Sequence, residues 1–135
     1  MVDFFDSEEY ERWMKHAERT LQSAYGDLSS EFYNWACFKA QQASEYAVKA
    51  YLHGIGMNTF GHAVSLLLKN AGFNKDIIST AMVIDKYYIP TRYADAWSEG
   101  VPDDYYNKTD AQNAIEAAKS ILDEVKSIWK SLKEE

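Results

Sequence analysis

The sequence predicts an all-α fold, most simply an antiparallel up-and-down bundle of four to five helices with short connections. Long stretches of the chain place apolar residues three or four positions apart, and no segment shows the sustained alternation of a half-buried strand. Only six Gly and two Pro interrupt these stretches. With 135 residues, the chain is about as long as one ordinary domain, so we expect residues 1–135 to form a single domain.

The first helix is predicted to begin at Asp6 and to end near Gly26-Asp27. Asp6 is a favoured N-cap residue, and Glu9 follows three positions later, as in a capping box. Apolar residues then recur at helical spacing, at Tyr10, Trp13, Met14, Ala17, Leu21, Ala24, Tyr25 and Leu28. Charged and polar residues fill the positions between them, which predicts an amphipathic helix.

The second helix is predicted to be the buried centre of the bundle. Ser29 or Ser30 is its expected cap, and it runs to about His53, before Gly54-Ile55-Gly56. A narrow stripe of mostly small residues lets another helix approach closely, and consists of Phe32, Ala36, Ala40, Ala43, Ala47 and Ala50. Apolar residues also lie off this stripe, at Trp35, Cys37, Phe38, Val48 and Leu52. The helix is therefore apolar nearly all round.

Two shorter helices and a loop are expected next. Thr59 is the expected cap of a helix through residues 61–69. Asn74 opens the following helix, which Pro90 breaks because proline lacks a backbone N–H donor. Residues 89–107 contain both prolines and no clean period, so we expect a long ordered loop, a kind of segment that often carries function.

The last helix is expected after Thr109, which forms a capping-box pattern with Gln112. Its apolar positions run from Ala111 to Leu132 and share about 140° of arc at the ideal helical step. This width is typical of a helix that packs one face against a core.

Charge and composition exclude several classes of protein. The formal net charge of −7 repels nucleic-acid phosphate on average, so a nucleotide contact needs a local cationic pocket. The single cysteine, Cys37, has no internal disulfide partner, the first ten residues do not resemble a signal peptide, and no window approaches a membrane span. We therefore expect a soluble, cytoplasmic protein without contact with a membrane.

Metal, cofactor and thiol chemistry are not expected either. His16, His53 and His62 belong to three different predicted elements, and none of the usual ligand spacings occurs. Cys37 lies inside the second helix and is more simply a small buried apolar residue. The chain also lacks a glycine-rich phosphate loop, so we predict neither a bound metal nor a cofactor.

The segment from Asp85 to Trp97 concentrates polar and aromatic groups. A guanidinium such as that of Arg92 binds phosphate with two N–H groups, aromatic faces such as Tyr88 and Tyr93 stack on a base, and Pro90 restricts the turn that presents them. The structural alternative is that Arg92 pairs with Asp95 or Asp85 and the tyrosines fasten the loop to the bundle. The residues alone favour this alternative.

A second candidate surface lies on helix two. Gln41, Glu45 and Lys49 stand four residues apart, away from the small-residue stripe, and Phe38 and Leu52 share that side. This mixture predicts a partner interface or, less favoured, the wall of a pocket. His62 follows Gly61 and is interpreted as a helix-start residue, with lining of a site as the alternative. His16 falls on the polar face of helix one.

These residues resemble a known family. The run from Trp35 to Leu52, then Gly56, Gly61-His62 and the segment from Tyr88 to Ala96, is similar to a HEPN domain of the small prokaryotic type, over roughly residues 8–130. The resemblance implies a helical bundle, frequent homodimers, and pairing with a minimal nucleotidyltransferase of the polymerase-beta type. Such pairs often form a toxin–antitoxin or stress-response system.

Many members of the HEPN family are metal-independent ribonucleases, and here the sequence departs from their pattern. They use an arginine followed, after four to six residues, by a histidine at the dimer interface. Arg92 stands at the arginine position, but Trp97-Ser98-Glu99 contains no histidine. The group that would move the proton is therefore missing from its usual place.

The preferred hypothesis is a homodimeric nucleotide-binding or interaction module. Arg92 binds phosphate, Tyr93 or Tyr88 stacks on a base or ribose, Asp95 orients Arg92, and Gln41, Glu45 and Lys49 line the adjacent groove. Trp35, Phe38 and Leu52 are the predicted dimer surface. One alternative is a ribonuclease toxin in which Arg92 stabilises charge and His62 or Tyr93 handles protons. Another is a scaffold whose loop is purely structural.

Overall fold

The structure is a computed structural model that describes residues 5–134. Five α-helices follow one another: α1 (Ser7–Ser29), α2 (Tyr33–Ile55), α3 (Val64–Asn70), α4 (Lys75–Asp85) and α5 (Lys108–Glu134). The segment between α4 and α5 contains two short 3-10 turns, Ala94–Ala96 and Pro102–Tyr105. Residues 5–134 contain no β-strand. The predicted all-α class is therefore confirmed.

Helix α1 begins as the sequence predicts and ends later. The carboxylate of Asp6 accepts a hydrogen bond from the Glu9 amide at 3.1 Å, which caps the helix. Ser29 and Ser30, predicted to cap α2, instead end α1, and the Ser30 amide donates to the Gly26 carbonyl at 3.0 Å. Phe32 precedes α2 without a side-chain cap. The cap prediction for α2 was wrong because those serines complete the last turn of α1.

Helix α2 is the centre of the bundle and packs mainly on α1 and α5. The five alanines of the predicted stripe have no exposed surface: Ala36, Ala40, Ala43, Ala47 and Ala50. Phe32, predicted in the same stripe, is instead exposed, because it precedes the helix. Small side chains let the neighbouring helices pack closely, as the sequence predicts.

The stripe of small residues continues to Gly54, close to the end of α2. A Cβ atom at Gly54 would meet Cζ3 of Trp129 in α5 at 2.5 Å. The Trp129 ring lies nearly parallel to the Tyr10 ring of α1, with centroids 4.2 Å apart. Gly54 therefore allows three helices to meet around one indole. Gly56 then ends α2 in the left-handed conformation that glycine adopts without strain.

Helix α3 begins at Val64, and not after Thr59 as the sequence predicts. Its cap comes from the last residue of α4: the Asp85 carboxylate accepts hydrogen bonds from the amide of Val64 at 2.6 Å and of Ser65 at 3.3 Å. The Ser65 hydroxyl donates to the same carboxylate. A cap that lies 21 residues away leaves no local signature in the sequence.

Helices α4 and α5 have local caps. The Asn74 side chain accepts from the Ile77 amide at 2.9 Å, as predicted for the start of α4. At the start of α5, Asn107 and Asp110 each accept from the other's amide at 2.9 Å. The capping box therefore lies two residues before the predicted one at Thr109. The buried face of α5 matches the prediction and consists of Ala111, Ala114, Ile115, Ala118, Ile121, Leu122, Val125 and Trp129.

Candidate functional site

Arg92 is held among aromatic rings in the segment that follows α4. Its guanidinium carbon lies 4.2 Å from the ring centroid of Phe38 and 4.8 Å from those of Tyr88 and Tyr93. Its Nε donates to the Tyr88 carbonyl at 2.9 Å. The two terminal nitrogens form no hydrogen bond or ion pair with any residue between 5 and 134. Arg92 is thus fixed by cation–π contacts while its outer N–H groups remain available.

Neither predicted acidic partner pairs with Arg92. Asp85 is occupied by the cap of α3. Asp95 is exposed in the first 3-10 turn and forms no ion pair with another described residue. The predicted orienting role of Asp95 is filled by the Tyr88 carbonyl, because the turn brings that oxygen to Nε.

The segment that presents Arg92 is fastened to the bundle by neighbouring residues. Thr91 is fully buried, its hydroxyl donates to the Tyr87 carbonyl at 2.6 Å, and its own carbonyl accepts from the Asn34 side chain at 2.9 Å. The indole N–H of Trp97 donates to the Pro90 carbonyl at 2.8 Å. These bonds order the long segment, as expected, without using the guanidinium.

The polar residues of α2 form a buried network next to Arg92. The Glu45 carboxylate is 4% exposed and accepts from Lys49 Nζ at 3.0 Å and from Gln41 Nε2 at 3.1 Å. Gln41 also donates to the His62 carbonyl at 3.3 Å. The charge of Glu45 is therefore compensated, as a buried carboxylate requires. Gln41 and Glu45 lie beneath the surface, whereas the sequence predicts that they line a groove.

His62 connects this network to the aromatic residues around Arg92. Its Nδ1 lies 3.2 Å from both Glu45 oxygens, and its ring stacks on Tyr88 with centroids 4.7 Å apart and an interplanar angle of 17°. The side chain is 56% exposed, and Nε2 forms no hydrogen bond within residues 5–134. His62 lies two residues before α3, so it is not the helix-start residue that the sequence favours.

Of the three apolar residues predicted as a dimer surface on α2, one is buried in the core and another packs against Arg92. Leu52, predicted to share an exposed surface, is 1% exposed and belongs to the core. Trp35 is 42% exposed and lies edge-on to Phe38, with centroids 6.2 Å apart. Phe38, predicted at a partner interface or, less favoured, at the wall of a pocket, packs against Arg92. Phe38 stands three residues before Gln41, on the same face of the helix, and this spacing is the sequence feature that could have predicted its place beside the site.

The sequence profile of the HEPN domain matches residues 10–128. The chain belongs to the HEPN family. The match extends from α1 almost to the end of α5, so all residues around Arg92 and His62 lie within the HEPN domain. Comparison with curated proteins finds no match.

Solved structures support the same assignment for this HEPN domain. It resembles TT1696 from Thermus thermophilus, with 37% identity and a TM-score of 0.83 over 87% of this chain and 96% of that one. It also resembles ST0689, an archaeal HEPN homologue, with 42% identity and a TM-score of 0.77 over 87% and 95%. A HEPN domain protein from Thermotoga maritima is 28% identical, with a TM-score of 0.71 over 88% and 98%.

The side chains of this HEPN domain differ in their protonation chemistry. Burial, assisted by Asp110, raises the pKa of the Cys37 thiol to about 12, so the thiol stays protonated near neutral pH and is a poor nucleophile. Burial also raises the pKa of Tyr87. Neither the Cys37 thiol nor the Tyr87 hydroxyl is therefore ionised near neutral pH.

Residues 5–134 contain neither a cluster of potential metal ligands nor a helix that could span a membrane. No three or more His, Cys, Asp or Glu side chains in this range are arranged to hold a metal ion. No helix in the same range is both long and apolar enough to cross a bilayer.

Proposed function

We propose that this HEPN domain binds the phosphate of a nucleotide through Arg92 and acts in the cytoplasm as a homodimer with a minimal nucleotidyltransferase. The environment of Arg92 is the main support for this proposal. Aromatic rings surround its guanidinium, and its terminal N–H groups have no partner among residues 5–134. A guanidinium matches two phosphate oxygens in one plane. Because the protein already holds the side chain, little rotamer entropy is lost on binding.

The neighbouring groups suggest how the rest of a nucleotide binds. Tyr93 is 52% exposed and is the better base-stacking ring, since Tyr88 already stacks on His62. Asp95 is exposed on the same segment. Gln41, Glu45 and Lys49 act from beneath by positioning His62.

Titration calorimetry with ATP, GTP and short RNA tests the proposal. Arg92→Ala should weaken binding about ten- to a hundredfold, because a hydrogen bond to a charged group contributes about 1.5–3 kcal/mol. Arg12→Ala removes the same charge from an exposed pair with Glu9 and is the matched control. Absence of binding by the wild type, or equal binding by both variants, contradicts the proposal. A lowered melting temperature of Arg92→Ala with unchanged binding supports the structural scaffold instead.

The homodimer has its own support. Exposed aromatic and apolar residues lie at the Arg92 segment: Tyr93 belongs to it, and Phe32, Trp35 and Val101 line the same cavity as Arg92. Surfaces of this kind mark protein contacts more often than isolated apolar residues do. Sedimentation at micromolar concentration should give twice the mass of the 15.5 kDa chain, and a single species at 15.5 kDa contradicts the dimer. Co-purification with a nucleotidyltransferase encoded nearby tests the partner.

The Glu45–His62 contact favours a second function, metal-independent cleavage of RNA. A carboxylate that accepts from Nδ1 of a histidine directs Nε2 toward substrate as a base. Nε2 takes the proton of a ribose 2′-hydroxyl, whose oxygen bonds to phosphorus. The bond from phosphorus to the 5′-oxygen breaks, and the imidazolium returns the proton to that oxygen. Arg92 stabilises the charge on the phosphorus oxygens.

Gel analysis of RNA and growth after induced expression separate the two functions. If RNA is cleaved, His62→Gln and Arg92→Ala should each abolish cleavage and growth arrest. His53→Gln removes an imidazole that stacks on Trp13 and has no ring contact or hydrogen bond with Arg92 or His62, so it should leave cleavage unchanged. Intact RNA and normal growth with the wild type contradict the ribonuclease and leave the binding function.

A further inference from the structure

A cavity of about 440 Å³ lies between the turn that joins α1 to α2 and the segment that joins α4 to α5. Arg92 lines this cavity together with two carboxylates, those of Glu31 and Asp103. The remaining lining residues are mainly aromatic or apolar, and are Phe32, Asn34, Trp35, Val101 and Pro102. One cation and two anions therefore share a cavity with largely apolar walls.

The opposite charges of this cavity do not pair with each other. No ion pair joins Arg92 to Glu31 or Asp103, and the Asp103 carboxylate accepts no hydrogen bond from another described residue. The Tyr33 hydroxyl donates to the Glu31 carboxylate at 3.5 Å, which is long for an O–H donor. Charges that line one cavity without contact leave room for a ligand that contacts both.

Asn34 adds an acceptor on a buried side chain. This side chain is 6% exposed, and its Nδ2 donates to the Thr91 carbonyl at 2.9 Å, which fixes the orientation of the amide. Oδ1 accepts no hydrogen bond from any residue that the structure describes. Because polar atoms of buried side chains normally have partners, Oδ1 in this cavity favours a ligand with an N–H group.

Glu31 occupies its position at a conformational cost. Its φ of 65° lies in the left-handed region, and within the described part of the chain it is the one residue other than glycine with a positive φ. A residue with a Cβ atom is disfavoured there, and glycine would form the same turn more readily. Backbone strain at a carboxylate that lines a cavity supports a role for the side chain beyond the turn.

The number and sign of these groups match an α-amino acid. The terminal N–H groups of a guanidinium pair with both oxygens of a carboxylate. An ammonium group has three N–H donors, and the cavity offers three acceptor groups, the carboxylates of Glu31 and Asp103 and Oδ1 of Asn34. The exposed rings of Phe32 and Trp35 provide apolar surface for a side chain. A zwitterion thus supplies a partner for the charges of both signs.

We propose that this cavity binds an α-amino acid with an apolar side chain, its carboxylate at Arg92 and its ammonium group at Glu31, Asp103 and Asn34. The inference goes beyond the proposed function, because it assigns a second class of ligand to the cavity that Arg92 lines. The amino acid and a nucleotide phosphate both use the guanidinium, so the two ligands compete.

Titration calorimetry with L-phenylalanine and two derivatives tests the inference. N-acetyl-L-phenylalanine lacks the ammonium group and L-phenylalaninamide lacks the carboxylate, so each should bind about tenfold or more weakly than L-phenylalanine. Glu31→Gln and Asp103→Asn should each weaken L-phenylalanine about tenfold and leave the affinity for the N-acetyl derivative unchanged. Glu116→Gln removes the same charge from an exposed position of α5 outside the cavity and should change neither affinity.

Glu31→Gly separates binding from folding. Glycine adopts a positive φ without strain, so this variant should melt no lower than the wild type and still bind L-phenylalanine about tenfold more weakly. A wild type that does not bind L-phenylalanine, or that binds either derivative equally well, overturns the inference. Equal weakening by Glu31→Gln and Glu116→Gln shows a general charge effect and overturns it too.

Arg92→Ala distinguishes this inference from the proposed function. It should weaken L-phenylalanine and leave the affinity for L-phenylalaninamide, which has no carboxylate, unchanged. If the same variant leaves binding of ATP and GTP unchanged, the proposed function fails, while loss of L-phenylalanine binding still supports the amino-acid site. If it weakens the nucleotides but not L-phenylalanine, the amino-acid site fails and the proposed function stands.

Discussion

The two sides of α2 are buried by opposite means. Toward α1 and α5, the helix presents alanines and Gly54, and burial depends on small size and close packing. Toward Arg92, it presents Gln41 and Glu45, and burial depends on the hydrogen bonds and the ion pair that compensate them. An apolar side tolerates no added volume, whereas a polar side tolerates no missing partner. One helix thus combines a packing surface with a support for functional groups.

Removal of Glu45 should have the largest effect on stability. Glu45→Ala leaves Lys49, Gln41 and His62 without their shared acceptor, and breaking a buried pair costs about 3–5 kcal/mol. Glu18→Ala removes an exposed partner of Lys126 and should cost less than about 1 kcal/mol. Urea unfolding measures both values. A loss for Glu45→Ala as small as that of Glu18→Ala contradicts the role assigned to the network.

An added methyl group on the packing side should have the next largest effect. Gly54→Ala places Cβ 2.5 Å from Trp129, and such overpacking costs about 1–3 kcal/mol. Gly26→Ala in α1 is the matched control, because no atom lies within 4 Å of the added Cβ. That variant should gain about 0.5–1 kcal/mol from helix propensity. Thermal unfolding of both variants measures the two effects. Shifts of the melting temperature in the same direction would contradict the close approach of Gly54 and Trp129.

Alkaline pH should reveal the smallest effect, through Cys37 on the packing side. Its pKa is about 12 in the folded protein against 9.0 for a free thiol, so the unfolded chain loses this proton first. The contribution is complete below pH 9 and is lost as the pH rises from 9 toward 12, by about 1 kcal/mol over the tested interval from pH 9 to 10. Cys37→Ala should therefore flatten the decline in unfolding free energy between about pH 9 and 10. Tyr10 and Tyr106, whose pKa values are also raised to about 12, add their own decline above pH 10. Parallel curves for wild type and variant contradict the assignment.

The sequence predicts those parts of the fold that depend on neighbouring residues. The Asp6 and Asn74 caps each involve an amide three residues away, and the alanine stripe follows from helical spacing alone. The predicted starts of α2 and α3 were wrong for different reasons. Ser30 is equally suited to the end of α1, and the cap of α3 comes from Asp85, beyond the reach of local patterns.

The sequence predicts which residues form the candidate site but not which of them contact each other. Arg92, Tyr88, Tyr93 and His62 are all candidates from the sequence, and the structure brings these four together. The sequence does not predict that rings, and not Asp95, hold the guanidinium. Cation–π contacts and ion pairs use the same residue types, and only the fold decides which one forms. The pairing of Glu45 with His62, 17 residues apart, likewise depends on the path of the loop after α2.

The Asp85 cap has a mechanical consequence for the two groups at the surface. The carboxylate joins the last residue of α4, seven positions before the guanidinium, to the first residue of α3, two positions after the imidazole. The loop that carries His62 therefore ends at this cap, and the segment that carries Arg92 starts from it. Asp85 thus helps to fix the distance between Arg92 and His62, although neither hydrogen-bonds to it. Loss of this one carboxylate would remove a constraint on both side chains.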